Sequence, residues 1–253
     1  MVLFKNLIKA LAARNGVGIF KIRGRYSQDG LFTVHSDLFR SNPGFRAAYQ
    51  RGIQASSGVD PGFEWRVHVA LWAARTALRN DGDFVECGVN AGFISSAIME
   101  NLQWSTVGRR FYLIDTFTGP ILTQYSEEER RHGRHTVAQQ ALEAGAYVTD
   151  LDRVRANFAA WQNTIIVRGA IPEILAKIDF GAIAFAHIDM NCALPERAAF
   201  EFFWDRLSPG GLVLFDDYGY HGHDCQREGI DAAAKARGAE VLSLPTGQGL
   251  IIK

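Results

Sequence analysis

Between residues 63 and 79, apolar side chains recur at helical spacing (Phe63, Val67, Ala70, Leu71, Ala74, Leu78), and Asn80-Asp81-Gly82 closes the run. The pattern then changes. Asp83-Phe-Val-Glu86 reads as a short buried strand ending in an acid; Gly88 and Gly92 turn the chain, and an apolar, small-residue helix follows over about 93–103. Further strands are predicted at Arg110–Asp115, Thr164–Arg168, Ala184–Asp189 and Gly211–Asp217, with helices near 137–160, 171–177, 195–207 and 226–237 between them. Glu240–Leu244 and Gly249–Lys253 flank Pro245-Thr-Gly-Gln-Gly and read as an antiparallel hairpin. Strands alternating with helices predict an α/β fold, a seven-stranded, mostly parallel sheet with that hairpin at its C-terminal end.

Upstream, Met1–Arg14 has apolar positions broken by Lys5, Lys9 and Arg14, which predicts an amphipathic helix too short and interrupted to span a membrane. Residues 15–62 are punctuated by glycine and by Asn42-Pro43-Gly44 and Ser56-Ser57-Gly58, with a helix at 45–54. The division predicted is an N-terminal helical cap or oligomerisation segment over 1–62 and a cofactor domain over 63–253. A homo-oligomer formed through the amphipathic start is one expectation. Ser126–His135 is a charged stretch that reads as a solvated face or a lid. Arg66 and His68, on the helix before the first strand, read as a solvated arginine and a satisfied histidine.

Composition narrows the partners. The formal charge is zero and the pI near 7.1, so no global field favours nucleic acid or an anionic membrane. The three cysteines, Cys87, Cys192 and Cys225, are widely spaced and suit a reducing compartment, hence a cytoplasmic expectation.

The candidate chemistry lies at strand ends. In an open parallel sheet, ligands bind beyond the carboxyl ends of the strands, and here those ends carry Glu86, Asp115, Asp189, Asp216 and Asp217. The turn at Gly88, Asn90 and Gly92 would let a nucleotide cofactor lie against backbone and a helix N-terminus. A carboxylate at position 86 suits ammonium, sulfonium or hydroxyl groups and repels a pyrophosphate, and Asn90 breaks the Gly-x-Gly-x-x-Gly spacing. S-adenosylmethionine is therefore favoured over NAD. Asp115 is placed for the ribose hydroxyls, and Gly169-Ala170 for the adenine. Asp189, Asp216 and Asp217 should converge, and three carboxylates together call for a cation such as Mg²⁺. A hydroxyl held on that ion would lose its proton readily and attack a methyl carbon. His221 and His223, in the loop after Tyr218-Gly-Tyr220, are candidate proton acceptors or substrate walls, His221 being taken as the catalytic candidate beside Asp189. His187, two positions before Asp189, reads as a core histidine.

Asp83-Phe-Val-Glu-Cys-Gly-Val, Tyr112-Leu-Ile-Asp-Thr-Phe-Thr-Gly119, Tyr147-Val-Thr-Asp, Val154-Arg-Ala-Asn-Phe158, Ile188-Asp189 and Leu207-Ser-Pro-Gly-Gly-Leu-Val-Leu-Phe-Asp-Asp-Tyr-Gly219 resemble the macrocin O-methyltransferase family over about residues 60–253. The resemblance implies a Rossmann-like class I methyltransferase that uses S-adenosylmethionine and a divalent metal to methylate sugar hydroxyls of natural products. It implies Asp189, Asp216 and Asp217 as metal ligands and Glu86, Gly88 and Asp115 at the cofactor. One departure is present: where the family pattern has Asp-Gly-Asp, this chain has Asp189-Met190-Asn191. Asn191 cannot take a proton, so the base falls to Asp189, a nearby histidine or metal-bound hydroxide. The rival expectations are a catechol-type O-methyltransferase and a protein that binds the cofactor without turnover.

Overall fold

The computed structural model describes residues 2–14 and 26–253, which fall into two compact units, residues 1–37 and 38–253. In the first, Val2–Arg14 is a helix, α1. A small antiparallel hairpin pairs Ser27–Gln28 (β1) with Leu31–Phe32 (β2). Its turn residues, Asp29 and Gly30, both have positive φ, as a tight two-residue hairpin turn requires.

The second unit begins at Leu38, so the helix Pro43–Ala55 (α2), which the sequence groups with the cap, belongs with the sheet. It starts on an Asn42 side-chain cap with proline in its first turn, and it packs against Phe93–Leu102 (α4). Between them Glu64–Ala77 (α3) leads into the first strand of the sheet, Asp83–Cys87 (β3). Phe111–Asp115 (β4) comes next, then the helices Glu127–Arg131 (α5), Arg134–Glu143 (α6) and Leu151–Phe158 (α7). Thr164–Arg168 (β5), Ile183–Ile188 (β6), helix Ala193–Trp204 (α8), Leu207–Phe215 (β7), helix Asp224–Lys235 (α9), Leu242–Ser243 (β8) and Gly249–Ile252 (β9) complete the chain.

The seven-stranded sheet has the order β5-β4-β3-β6-β7-β9-β8, parallel except where β9 pairs antiparallel with β7 and β8. Alternation along each strand serves both faces. Phe84, Leu113, Phe185, Leu212 and Leu214 pack beneath α2, α3, α4 and α7. Val85, Cys87, Ile114, Ile188, Val213 and Phe215 pack against α8 and α9. The strand order reverses direction at β3, between β4 and β6, and this opens the crevice at the carboxyl ends of the strands.

Two predicted helices differ. The stretch 137–160 is two helices, because α6 ends at Glu143 and Gly145 follows with φ 69°. Residues 171–177 form turns and one short 3₁₀ segment, Leu175–Lys177.

Candidate active site

Two hollows meet at the crevice. The first encloses about 720 Å³ including its open mouth, and its lining includes Gly88, Asp115, Gly119, Tyr147, Gly169 and Ile171. The second includes Phe63, Arg66, Glu86, Phe93 and Asp216. Gly88, Asn90 and Asp189 belong to both.

Why the tips approach so closely is visible at Gly88. Its φ is 86°, and a Cβ there would stand 1.7 Å from the Asp189 carbonyl oxygen. Glycine is required by the neighbouring strand as much as by any ligand. Gly92, also left-handed, lies against the Phe158 ring, where a Cβ would stand 2.4 Å from Cζ, so its missing side chain makes room for that packing. Asn90 has φ 49°; its Oδ1 accepts from the Val148 N–H at 2.8 Å and ties the turn to the segment before α7.

Asp115 lines the first hollow, but its oxygens already serve the backbone. Oδ2 accepts from Val89 N–H and Asn90 N–H at 2.7 and 2.8 Å, and Oδ1 from Phe117 N–H at 2.7 Å and the Thr116 hydroxyl at 3.3 Å. It braces the glycine turn, and the long Thr116 contact is the one a ribose hydroxyl would most readily replace. Gly169 and Ile171, on either side of Ala170, line the hollow; Ala170 itself is not among the lining residues.

A row of buried ionisable groups runs across three strands. Register places Glu86 opposite His187 and His187 opposite Leu214, so Glu86, His187 and Asp216 follow one another on the face beneath α3. Glu86 Oε1 lies 2.9 Å from His187 Nδ1, and His187 Nε2 stands 3.7 Å from Asp216 Oδ1. Burial alone would lower the His187 pKa, but the carboxylates of Asp216 and Glu86 outweigh it and raise it to about 10. His187 is thus a buried cation between two acids, not an inert core histidine. Glu86 keeps one buried oxygen, Oε2, without a protein partner.

Arg66 descends from α3 onto the same row. It is 7% exposed, the reverse of the solvated side chain expected, and its Nη1 lies 2.6 Å from Asp216 Oδ2 and 3.0 Å from Asp217 Oδ1. Gln248, wholly buried, donates from Nε2 to Asp216 Oδ1 at 2.9 Å. Burial pushes the Asp216 pKa up, but Arg66 and His187 more than reverse this and hold it far below the usual carboxylate range. Burial and the Asp216 charge raise Asp217, against the pull of Arg66. Asp189 accepts from the Asn191 amide at 3.2 Å, and burial together with Asp216 and Asp217 lifts it well above an ordinary carboxyl.

The expected metal trio is therefore corrected. Among the described residues no three His, Cys, Asp or Glu side chains are grouped so as to hold a metal ion. Asp216 and Asp217 clamp an arginine, and each Asp216 oxygen already faces protein donors, so the residues do not fit a divalent ion. His221 is corrected too: it is exposed and lines neither hollow. The buried member of that loop is His223, with Nδ1 3.8 Å from Asp217 Oδ2 and a pKa lowered by burial to about 4.

Glu196 lies outside the strand-end acids that the sequence pattern selects. It lies in the first turn of α8, fully buried, and its Oε1 accepts from Met190 N–H, Asn191 N–H and Gln226 Nε2. Burial raises it to about 8. A polar residue just inside a helix start was the available signal. Arg66 had one as well, since it lies three residues after Phe63 and four before Ala70, on the apolar stripe of its own helix. The charged stretch at 126–135 is largely solvent-exposed, with Glu129 its one buried member. Ser126 and Glu129 form a reciprocal capping box, and buried Glu129 accepts the Ala193 N–H at 2.8 Å at the start of α8.

The sheet order, the glycine turn at its switch point and the acids at its carboxyl edge define a class I methyltransferase fold. Solved structures share it at low identity: the O-methyltransferase NovP, at TM-score 0.63 and 17% identity, covers 74% of this chain and 79% of its own. The calicheamicin methyltransferase CalS11, at TM-score 0.56 and 19% identity, covers 90% and 98%.

The chain belongs to the macrocin-O-methyltransferase (TylF) family, which it matches over residues 71–239, and that family comprises S-adenosylmethionine-dependent O-methyltransferases. A curated relative from Streptomyces olivaceus is 30% identical over 146 residues, 54% of this chain and 53% of the relative. It is 8-demethyl-8-(2,3-dimethoxy-alpha-L-rhamnosyl)-tetracenomycin-C 4'-O-methyltransferase, and this chain spans about half its length. No helix among the described residues is long and apolar enough to cross a membrane.

Proposed function

We propose that this chain transfers a methyl group from S-adenosylmethionine to a hydroxyl on a sugar unit of a natural product. The observation that carries the reading is Glu86, a buried carboxylate at the switch point whose Oε2 lacks a partner while its other oxygen is fixed by His187. Such an oxygen suits the ammonium of the cofactor's methionine portion. The glycine turn and Asp115 line the nucleoside side, with Gly169 and Ile171 beside the base. When bound, the cofactor supplies an electrophilic methyl group on a positively charged sulfur.

The chain's own residues do the rest. Asp189 belongs to both hollows, which suits it to accept the proton of an incoming hydroxyl, and its raised pKa makes it a stronger base than an exposed aspartate. Asn191 cannot serve as that base and instead orients Asp189. Phe63 and Phe93, edge to face at 4.8 Å, wall the second hollow, which Glu86 also lines, so the methionine end of the cofactor and the C–H face of a sugar ring would meet there. The family and the tetracenomycin relative support a sugar acceptor. Divalent-metal dependence is no part of this reading, because Arg66 and Gln248 already hold the oxygens of Asp216.

Calorimetric titration with S-adenosylhomocysteine, and separately with NAD, tests the proposal. S-adenosylhomocysteine should bind and NAD should not, and Glu86→Gln should weaken binding by about tenfold or more through loss of a charge-assisted hydrogen bond. Mass spectrometry of rhamnosides, other deoxysugar glycosides and catechols incubated with enzyme and cofactor then assigns the acceptor. Absence of S-adenosylhomocysteine binding would overturn the reading.

A further inference from the structure

Asp216 and Asp217 are consecutive, buried and close to Asp189, and acids so placed require a positive partner. The protein provides one from its own chain. A single nitrogen of Arg66 reaches both carboxylates, at 2.6 and 3.0 Å, and the guanidinium lies 4.9 Å from the Tyr220 ring centre. The second oxygen of Asp216 takes the Gln248 amide, which is itself oriented because its Oε1 accepts from the Thr246 hydroxyl at 3.0 Å. Behind it stands His187. A small hard cation demands several oxygen ligands in a strict arrangement. Here an arriving ion would meet a fixed guanidinium and a carboxylate whose oxygens both face donors.

We propose that Arg66 is a built-in cation standing where a divalent metal would otherwise bridge Asp216 and Asp217, and that the acceptor site of this chain works without a metal ion. The proposal rests on the methyl-transfer reading, which brings the cofactor's methionine end and the acceptor together in the hollow beside Arg66. It assigns Arg66 a positioning role: the guanidinium keeps Asp216 and Asp217 in place and balances their charge permanently, since it does not lose its proton in proteins. It also explains the division of labour with Asp189. Without a Lewis acid to acidify the hydroxyl, the proton must go to a base of the protein.

The test uses the full chain, stripped with a chelator and titrated with Mn²⁺ alone while electron paramagnetic resonance follows the free ion. The wild-type protein should show no saturable uptake. Arg66→Met, which removes the charge at similar length, should gain about tenfold or more in Mn²⁺ affinity through relief of the like charge, and Asp217→Asn in that background should abolish the gain. Arg66→Lys should restore the wild-type result. Saturable wild-type binding that is lost in Asp217→Asn overturns the proposal, as does a folded Arg66→Met protein that takes up no Mn²⁺. If Arg66→Met does not fold, the wild-type titration decides alone. Titration of the same preparations with S-adenosylhomocysteine reports on the methyl-transfer reading independently, because Mn²⁺ uptake requires no turnover.

Discussion

Asp189 accepts the Asn191 amide on one oxygen and faces two further carboxylates, whose repulsion and its own burial raise its pKa. In the proposed reaction Asp189 takes the hydroxyl proton and works only when ionised, so on that reading kcat/KM should rise with pH as Asp189 loses its proton. Asp189→Asn should lower kcat by about 10²–10⁴ and remove that acidic limb, as measured in a pH–rate series. Loss of activity with the limb retained would place the base elsewhere. The strand-end acids stood out in the sequence because carboxylates there need a ligand or a cap to justify them; Glu86, Asp189 and Asp216 line the hollows, while Asp217 is buried against Arg66 and lines neither. Their partners did not stand out. Arg66 and Gln248 approach from a helix and from the terminal hairpin, and only the packing of α3 on β6 and β7 and the antiparallel return of β9 bring them to Asp216. His221 and His223 sit two positions apart in a loop, where no regular period tells which one turns inward.

On the scale of elements, the strands were readable because β-branched and apolar runs bounded by turn residues leave few alternatives. Helix ends were harder. The 137–160 run failed at Gly145, whose left-handed backbone interrupts a pattern that side-chain periodicity alone would continue. At α5 the chemistry is local: Ser126 Oγ accepts the Glu129 N–H at 3.2 Å, while Glu129 accepts the Ser126 N–H at 2.8 Å. Ser126→Ala should cost about 1 kcal/mol in urea unfolding. Because Glu129 also holds the Ala193 N–H, amide exchange should quicken at Ala193 as well as at α5. Faster exchange confined to α5 would mean that Glu129 holds its second contact without the serine.

At the scale of the whole molecule, two buried groups give stability a common pH direction. Glu196, at about 8 against an ordinary 4.5, retains in the folded state a proton that the unfolded chain releases, so its contribution falls as pH rises from about 4.5 to 8. His187, at about 10 against 6.5, contributes fully below 6.5 and loses its contribution as pH rises through about 10. Above pH 6.5, where His223 no longer opposes them, urea midpoints should therefore decline, and Glu196→Gln should lessen the decline up to about pH 8 while the His187 contribution persists to about 10. An unchanged slope in the variant would show that Glu196 is not the group responsible. A seven-stranded, mostly parallel sheet with a terminal antiparallel hairpin follows from the sequence pattern, but its strand order and the meeting of two hollows at Gly88, Asn90 and Asp189 do not, because the second depends on the Gly88 tip lying against Asp189. If cofactor and acceptor occupy these hollows as proposed, any factor that one imposes on the other's affinity through the shared Asp189 must be returned equally in the opposite direction.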